Sequence, residues 1–174
     1  MTERRSLPVL PSVPLDPLGF FGSLIRHLSG TLEDVVGIAD AEGFTSVVGA
    51  RMGSEIEALY RAQLGGRPLT REEVWAVLVD LKGRIGGHFE VVQETDDRVV
   101  LRGVRCPFGD KVHGRPSLCM MTSNVFGSIA ASALGYARVD IRQSIAKGAP
   151  SCEVVVVFDP VVGRVSSGRE YAAP

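Results

Sequence analysis

Three cysteines, Cys106, Cys119 and Cys152, are the residues of this chain best suited to chemistry. The first hundred residues contain no cysteine, so the thiols are confined to the C-terminal part of the sequence. Thiolates are soft metal ligands and redox-active groups, and the chain shows no phosphate-binding loop or nucleophile elbow. Cys106 and Cys119 enclose a loop of twelve residues that also contains Asp110 and His113. This clustering predicts a functional site in the C-terminal part.

A metal centre is the first interpretation of these residues. Cys106, Cys119 and Cys152 together with His113 match the Cys₃His donor set of a four-coordinate Zn²⁺ site. Three thiolates with a different fourth ligand would also suit an iron–sulfur cluster. The spacing Cys-x₁₂-Cys-x₃₂-Cys differs from short zinc-ribbon patterns, and no Cys-x₂-Cys pair occurs. Two metal-free alternatives stay open: cysteines that pack as small apolar groups, and thiols that sense redox state directly.

A thiol-dependent enzyme is a further alternative. Cys106 or Cys119 would be the nucleophile, and His88 or His113 would be the base. The spacing marks no carboxylate or amide partner for either histidine. We therefore expect that the protein is not an enzyme. The alternatives are a thiol-dependent small-molecule hydrolase and a metal-free structural or interaction domain.

Length and composition restrict the class of protein. The chain has 174 residues, of which 45% are hydrophobic and 22% are charged, as is typical of one globular domain. The net charge of −1 gives no basic footprint for nucleic acid, and no run of about 20 apolar residues predicts a membrane span. Prolines interrupt the apolar residues that follow Arg4 and Arg5, so no export signal is predicted. The odd number of cysteines then favours a cytoplasmic protein with reduced thiols.

The N-terminal part of the chain predicts an arm followed by an amphipathic helix. Residues 1–16 contain three prolines and little periodicity, which is typical of a flexible arm. From Pro17 onward, apolar residues recur at helical spacing on one face, namely Leu18, Phe21, Ile25, Leu28, Leu32 and Val35. This face packs either on the core of the domain or on a second copy of the chain, as a short coiled-coil stripe does.

The pattern changes from helical to extended after residue 87. Thr70 and Glu73 form a capping box that opens a helix, and the residues 118–136 are rich in small side chains that let a helix lie close to a sheet. The predicted elements are helices at 17–36, 40–64, 70–85 and 118–136 and strands at 88–93, 98–104, 137–142 and 152–158.

This order of elements predicts an α+β fold. N-terminal helices precede a strand-strand-helix-strand-strand unit, which forms an antiparallel sheet backed by helices. The predicted organisation is a flexible arm (1–16), one α+β domain (17–160) and a loose polar tail (161–174).

The predicted elements bring the cysteines together. Cys106 ends the second strand, Cys119 begins a helix and Cys152 opens the last strand, and these three points can converge at one edge of the sheet. A thiolate at the N-terminus of a helix is stabilised by unpaired amides and by the helix dipole.

The segments around the cysteines resemble a sensory module, the methanogen output domain. The resemblance is carried by Cys106-Pro-Phe-Gly, by Arg115-Pro-Ser-Leu-Cys119-Met-Met-Thr-Ser-Asn-Val-Phe-Gly and by Ala146-Lys-Gly-Ala-Pro-Ser-Cys152-Glu-Val. The helical part, with Phe20-Phe21-Gly22 and Ala41-Glu42-Gly43-Phe44, fits the same family, so that the resemblance covers residues 17–158.

Two other groups are similar at greater distance. Gly148-Ala-Pro-Ser-Cys152 followed by a strand resembles the hydrocarbon-binding domain related to vinyl reductase and the C-terminal half of the iron–sulfur-dependent repressors of cluster assembly. These resemblances imply that Cys106, Cys119 and Cys152 are metal or cluster ligands in a domain that senses a ligand or redox state. The chain has no fourth cysteine near Ser144, where the hydrocarbon-binding pattern often has one. It also has no winged helix-turn-helix, so direct binding to nucleic acid is not expected.

The combined expectation is a cytoplasmic sensory or regulatory module. It would hold Zn²⁺ or an iron–sulfur cluster through its three cysteines and sense redox state or a small apolar ligand. The helix from Pro17 would pass the signal to a homodimer partner or to a separate output protein, without a membrane.

Overall fold

A computed structural model describes residues 11–173 of the chain. Two short 3-10 helices, Gly109–Val112 and Pro116–Leu118, lie in the cysteine loop, and a third, Ile145–Lys147, precedes the fourth strand. The α-helices are α1 (Pro17–Val36), α2 (Ile38–Gln63), α3 (Arg71–Arg84), α4 (Cys119–Leu134) and α5 (Pro160–Val165). The strands are β1 (His88–Glu94), β2 (Arg98–Arg105), β3 (Tyr136–Gln143), β4 (Cys152–Val157) and β5 (Arg169–Ala172).

The strands form one antiparallel sheet in the order β1-β2-β4-β3-β5. Because successive side chains of a strand point to opposite faces, Leu101 and Val154 enter the main core beneath α3 and α4, whereas Val100 and Val155 form a smaller cluster on the other face. The predicted α+β fold, with N-terminal helices and an antiparallel sheet, is confirmed.

Local sequence signals determine where the helices begin. The Asp16 side chain accepts a hydrogen bond from the Gly19 amide at 2.9 Å, and Pro17 occupies the first turn of α1. The capping box predicted for α3 is present, because Thr70 Oγ1 accepts from the Glu73 amide and Glu73 accepts from the Thr70 amide.

Helix α4 packs closely against α2 through glycines. A Cβ atom on Gly49 would lie 2.8 Å from Asn124 Cβ, and one on Gly53 would lie 2.8 Å from Ser128 Cβ. Such distances leave no room for a side chain, so the two helices approach more closely than side-chain-mediated packing permits. The main chain of α4 is thereby held between α2 and the sheet.

The apolar face of α1 does not enter the core of the domain. Leu18, Phe21, Leu28 and Val35 are between 57% and 86% exposed. Packing on the core of the same chain, one of the two interpretations of this face, therefore holds only in part. Ile25, Leu28 and Leu32 lie against α2 around a cavity, whereas Leu18, Phe21 and Val35 do not. The prediction of a flexible arm falls largely on residues 1–10, which lie outside the described residues, and residues 11–16 have no helix or strand.

The prediction of a loose tail over 161–174 is wrong within the described residues. Asp159 caps α5 by accepting from the amides of Val161 and Val162 at 2.7 and 3.1 Å, and β5 pairs with β3 at the sheet edge. Tyr171 of β5 donates or accepts a hydrogen bond with Ser123 Oγ at 2.9 Å and packs over Gly127 of α4. The polar composition of this segment concealed these elements, which depend on contacts with distant residues.

One segment, Pro116–Leu134, is long and apolar enough to span a membrane, by length and composition alone. The expectation that the chain contains no such segment is therefore wrong by this criterion. More than half of the segment is buried inside the fold, where it forms the central helix α4. A buried core helix passes the same test because it too is surrounded by apolar side chains.

Replacement of Gly53 by Ala will separate α2 from α4. Overpacking of a filled interface destabilises by about 1–3 kcal/mol, which exceeds the gain in helix propensity. Gly43→Ala in the same helix is the matched control, because a Cβ there meets nothing within 4 Å, and it will stabilise the protein slightly. Urea unfolding followed by circular dichroism measures both, and equal shifts of the two midpoints would contradict the packing.

Candidate functional site

The three cysteines line one small cavity of about 30 Å³, here called the thiol cavity. Its volume has room for a water molecule but not for an organic ligand. The other lining residues are mostly apolar, namely Phe89, Pro107, Phe108, Val112, Leu118, Thr122, Ile145 and Ala146. The structure therefore brings together Cys106, Cys119 and Cys152 from three separate parts of the chain.

Three elements position these thiols. Cys106 directly follows β2, Cys119 is the first residue of α4, and Cys152 is the first residue of β4. Cys152 lies opposite Gly103 of β2, and Gly103 lies opposite Phe89 of β1. A Cβ on Gly103 would overlap the Phe89 ring, so glycine is required for that ring to lie beside the thiols.

A buried lysine near the end of α3 lies beside the same cavity. Lys82 is 6% exposed, and its Nζ atom donates a hydrogen bond to Thr122 Oγ1 at 2.8 Å. The ammonium lies 5.3 Å from the ring centroid of Phe89 and 5.2 Å from that of Phe126, which places it in cation–π distance of both. Thr122 and Phe89 both line the thiol cavity, so Lys82 lies directly behind its wall.

Electrostatics link Lys82 to the thiols. Burial lowers the pKa of the Lys82 ammonium from 10.5 to about 8, and the neighbouring Cys106, Cys152 and Cys119 partly oppose that change. Lys82 was not among the site residues predicted from the sequence. A signal existed, because Val74, Leu78 and Lys82 follow one another at intervals of four and so share the buried face of α3.

Burial also changes the pKa of two of the thiols. It raises the pKa of the Cys106 thiol, which the Phe108 backbone amide and Lys82 oppose, and it raises the pKa of the Cys119 thiol, which Ser144 opposes. A nucleophilic cysteine needs a lowered pKa. These directions are therefore opposite to those that a thiol-dependent hydrolase requires at Cys106 or Cys119.

The histidines lie elsewhere. His113 is exposed in the loop, where its backbone carbonyl accepts a hydrogen bond from Arg26 Nη1 at 2.9 Å, and it is not among the residues that line the thiol cavity. His88 is exposed at the start of β1. Among residues 11–173, no group of three or more His, Cys, Asp or Glu side chains is placed to hold a metal ion. The thiols share a cavity, but as arranged they do not form a coordinating set.

A second, larger cavity lies between α1, α2 and the cysteine loop. This cavity, here called the helical cavity, has a volume of about 310 Å³ and is almost entirely apolar. Phe108 and Leu118 line both cavities, so they form the wall between them. The remaining residues that line the helical cavity are Ile25, Leu28, Ser29, Leu32, Ala41, Phe44, Thr45, Val48, Met52 and Met121.

Polar contacts attach α1 to the cysteine loop. The Glu33 carboxylate, only 7% exposed, pairs with Arg115 Nη1 at 3.0 Å and accepts from the Ser117 hydroxyl at 2.5 Å. Ser29 forms a hydrogen bond with the same hydroxyl at 2.7 Å. Buried polar groups that lose their partners are costly, so α1 and the loop are expected to move as one unit.

Several solved structures share this fold, among them the following two. The phenol-responsive sensory domain of the transcription activator PoxR, in a crystal structure with phenol, aligns with a TM-score of 0.66 at 14% identity over 79% of this chain and 74% of that chain. Trafficking protein particle complex subunit 3 from Naegleria fowleri, covalently bound to palmitic acid, aligns with a TM-score of 0.57 at 12% identity over 81% of this chain and 96% of that chain. At these identities the similarity establishes the fold alone.

No curated protein matches this chain. The family model of methanogen output domain 1 matches residues 24–157, which confirms the resemblance seen in the sequence. The matched range contains all three cysteines, their loop, Lys82 and most of α1. This chain therefore belongs to the methanogen output domain 1 family.

Proposed function

We propose that this protein is a sensory module that binds a small apolar molecule in the helical cavity. The observation that carries the proposal is the position of this cavity, which touches α1 on one side and the thiol cavity on the other. An occupant would contact Phe108 and Leu118 of the shared wall, and it would contact Ile25 and Leu28 of α1. Family membership supports a role in signalling.

The lining of the helical cavity indicates the class of ligand. Its hydroxyl groups belong to Ser29 and Thr45, and both already have partners, Ser117 Oγ at 2.7 Å and the Ala41 carbonyl at 3.0 Å. A charged ligand would lose its hydration without compensation there. We therefore propose a neutral, largely apolar ligand, such as a simple aromatic compound. The shared fold of a phenol-responsive domain and of a protein that carries palmitic acid supports this class.

The signal is proposed to leave through α1. Ligand contacts on Ile25 and Leu28 lie on the same helix as Glu33, whose carboxylate is tied to the cysteine loop. The outward side of α1 presents Phe20 and Leu24, which are 52% and 43% exposed. We propose that this side contacts a second copy of the chain, and that a separate output protein receives the signal.

The metal or iron–sulfur centre at Cys106, Cys119 and Cys152, with His113 as a fourth ligand, stays a prediction. The shared thiol cavity supports it, and the exposed position of His113 does not. Redox sensing by the thiols alone, in the cytoplasm, is compatible with the same geometry. Elemental analysis and an acid-labile sulfide assay on protein purified without oxygen test the metal version.

Filling the helical cavity will prevent ligand binding. Leu28→Trp adds an indole inside the cavity, and the affinity for phenol or a short alkylphenol will fall by about tenfold or more. Leu18→Trp is the matched control on the same helix, since Leu18 is 86% exposed and lies outside the cavity. Isothermal titration calorimetry measures both variants. Equal binding by wild type and Leu28→Trp would refute the cavity as the ligand site.

A charge on the outward side of α1 will disrupt the proposed dimer. Phe20→Glu places a carboxylate at a position that is 52% exposed in one chain and would be desolvated in a dimer. We expect the sedimentation coefficient to change from that of a dimer to that of a monomer. Val165→Glu, at an apolar residue of α5 that is 88% exposed, is the control and will leave the mass unchanged. If the wild-type protein is a monomer at high concentration, a second copy of the chain is excluded as the partner of α1.

A further inference from the structure

The serine on the α1 side of the helical cavity has a fixed direction of hydrogen bonding. A serine hydroxyl carries one hydrogen, so it donates to one partner and can accept from others. Ser117 Oγ lies 2.5 Å from Glu33 Oε1 and 2.7 Å from Ser29 Oγ. Because a carboxylate accepts hydrogen bonds, the single hydrogen of Ser117 goes to Glu33. Ser29 therefore donates its own hydrogen to Ser117.

The Glu33 carboxylate, at the end of this chain of hydrogen bonds, is surrounded by donors. Arg115 Nη1 pairs with Glu33 Oε2 at 3.0 Å, and the Ser117 amide donates to Oε1 at 3.3 Å. A Cβ on Gly30 would lie 2.7 Å from Arg115 Nη2, so glycine at this position lets the guanidinium lie against α1. These donors fix the direction of the chain, which runs from Ser29 through Ser117 to Glu33.

The second hydroxyl group of the cavity also has its hydrogen engaged. Thr45 Oγ1 donates to the Ala41 carbonyl of the preceding turn of α2 at 3.0 Å. The other side chains that line the cavity are apolar. In the part of the chain that the structure describes, the side chains around the cavity therefore offer two hydroxyl oxygens that can accept a hydrogen bond and no free hydrogen to donate.

A cavity with acceptors and no free donor discriminates between ligand oxygens. A ligand hydroxyl can donate to a serine or threonine oxygen, whereas an ether or carbonyl oxygen only accepts and would be buried without a partner. We propose that the ligand of the helical cavity carries a hydroxyl or N–H donor, and that Ser29 Oγ accepts its hydrogen bond. This inference rests on the proposed function, because it names the chemical feature that the apolar ligand must have.

Ser29 is a better acceptor for the ligand than Thr45. Its hydrogen bond to Ser117 continues to a carboxylate, and hydrogen bonds that follow one another in one direction polarise each other. Thr45 donates to a neutral backbone carbonyl, which gives no such support. The ligand hydroxyl becomes the first member of the chain that ends at Glu33, so Ser29 determines the specificity of the site and joins the ligand to the contacts that attach α1 to the cysteine loop.

Two isomeric ligands test this inference on the full chain. 4-Methylphenol and anisole consist of the same atoms and have nearly the same size, but only 4-methylphenol has a hydrogen on its oxygen. We expect wild type to bind 4-methylphenol about tenfold more tightly than anisole in isothermal titration calorimetry. Ser29→Ala removes the acceptor, so its affinity for 4-methylphenol will fall to about that for anisole, while its affinity for anisole will not change. Thr45→Val is the matched control and will keep the preference for 4-methylphenol.

Three results overturn the inference. The first is wild-type protein that binds anisole as tightly as 4-methylphenol, a comparison that needs no variant. The others are a preference that survives Ser29→Ala and a preference that disappears in Thr45→Val, with circular dichroism establishing that both variants are folded.

Leu28→Trp distinguishes failure of this inference from failure of the proposed function. If wild type binds both isomers equally and Leu28→Trp abolishes that binding, the helical cavity is the ligand site and the requirement for a donor is wrong. If wild type binds neither isomer, the proposed function fails and the inference fails with it.

Discussion

The close approach of α4 to both α2 and the sheet is the constraint on which the rest of the structure depends. Gly49 and Gly53 remove the side chains that would hold α2 away, and Gly127 does the same for Tyr171 of β5. Because α4 cannot shift without a clash, its first residue, Cys119, is fixed in depth relative to the sheet. The thiol cavity follows from this packing, because the last residues of β2 lie opposite the first residue of β4 in the sheet.

The same packing explains how a lysine can be retained inside the domain. Phe89 and Phe126 are in edge-to-face contact, with ring centroids 6.0 Å apart, and both rings lie near the Lys82 ammonium. Aromatic faces partly replace the water that the ammonium loses, but they supply no full negative charge. The long aliphatic stem of Lys82 places the ammonium beside these rings and the Thr122 hydroxyl, from the buried face of α3.

Much of the fold follows from local signals in the sequence. Pro17, the capping box at Thr70 and the alternation of β3 each specify an element through residues near in sequence, so helices and strands could be predicted. The convergence of Cys106, Cys119 and Cys152 could be predicted as well, because each lies at the end of an element. Neither β5 nor the burial of Lys82 could be predicted so directly. A four-residue strand forms only on an existing sheet edge, and a lysine at a helical core position usually extends to solvent.

The apolar periodicity of α1 predicts the helix correctly, but it does not identify what the apolar face contacts. The periodicity from Leu18 to Val35 specifies an amphipathic helix, yet it cannot say what covers the apolar side. In the structure Glu33 and Ser29 attach α1 to the cysteine loop, and Ser29 lines the helical cavity together with Ile25 and Leu28. A helix that is tied to the loop by buried polar contacts and that also lines an apolar cavity is suited to transmit a change. Movement of the loop must either break the Glu33 pair or move α1, and moving α1 rearranges the exposed apolar face.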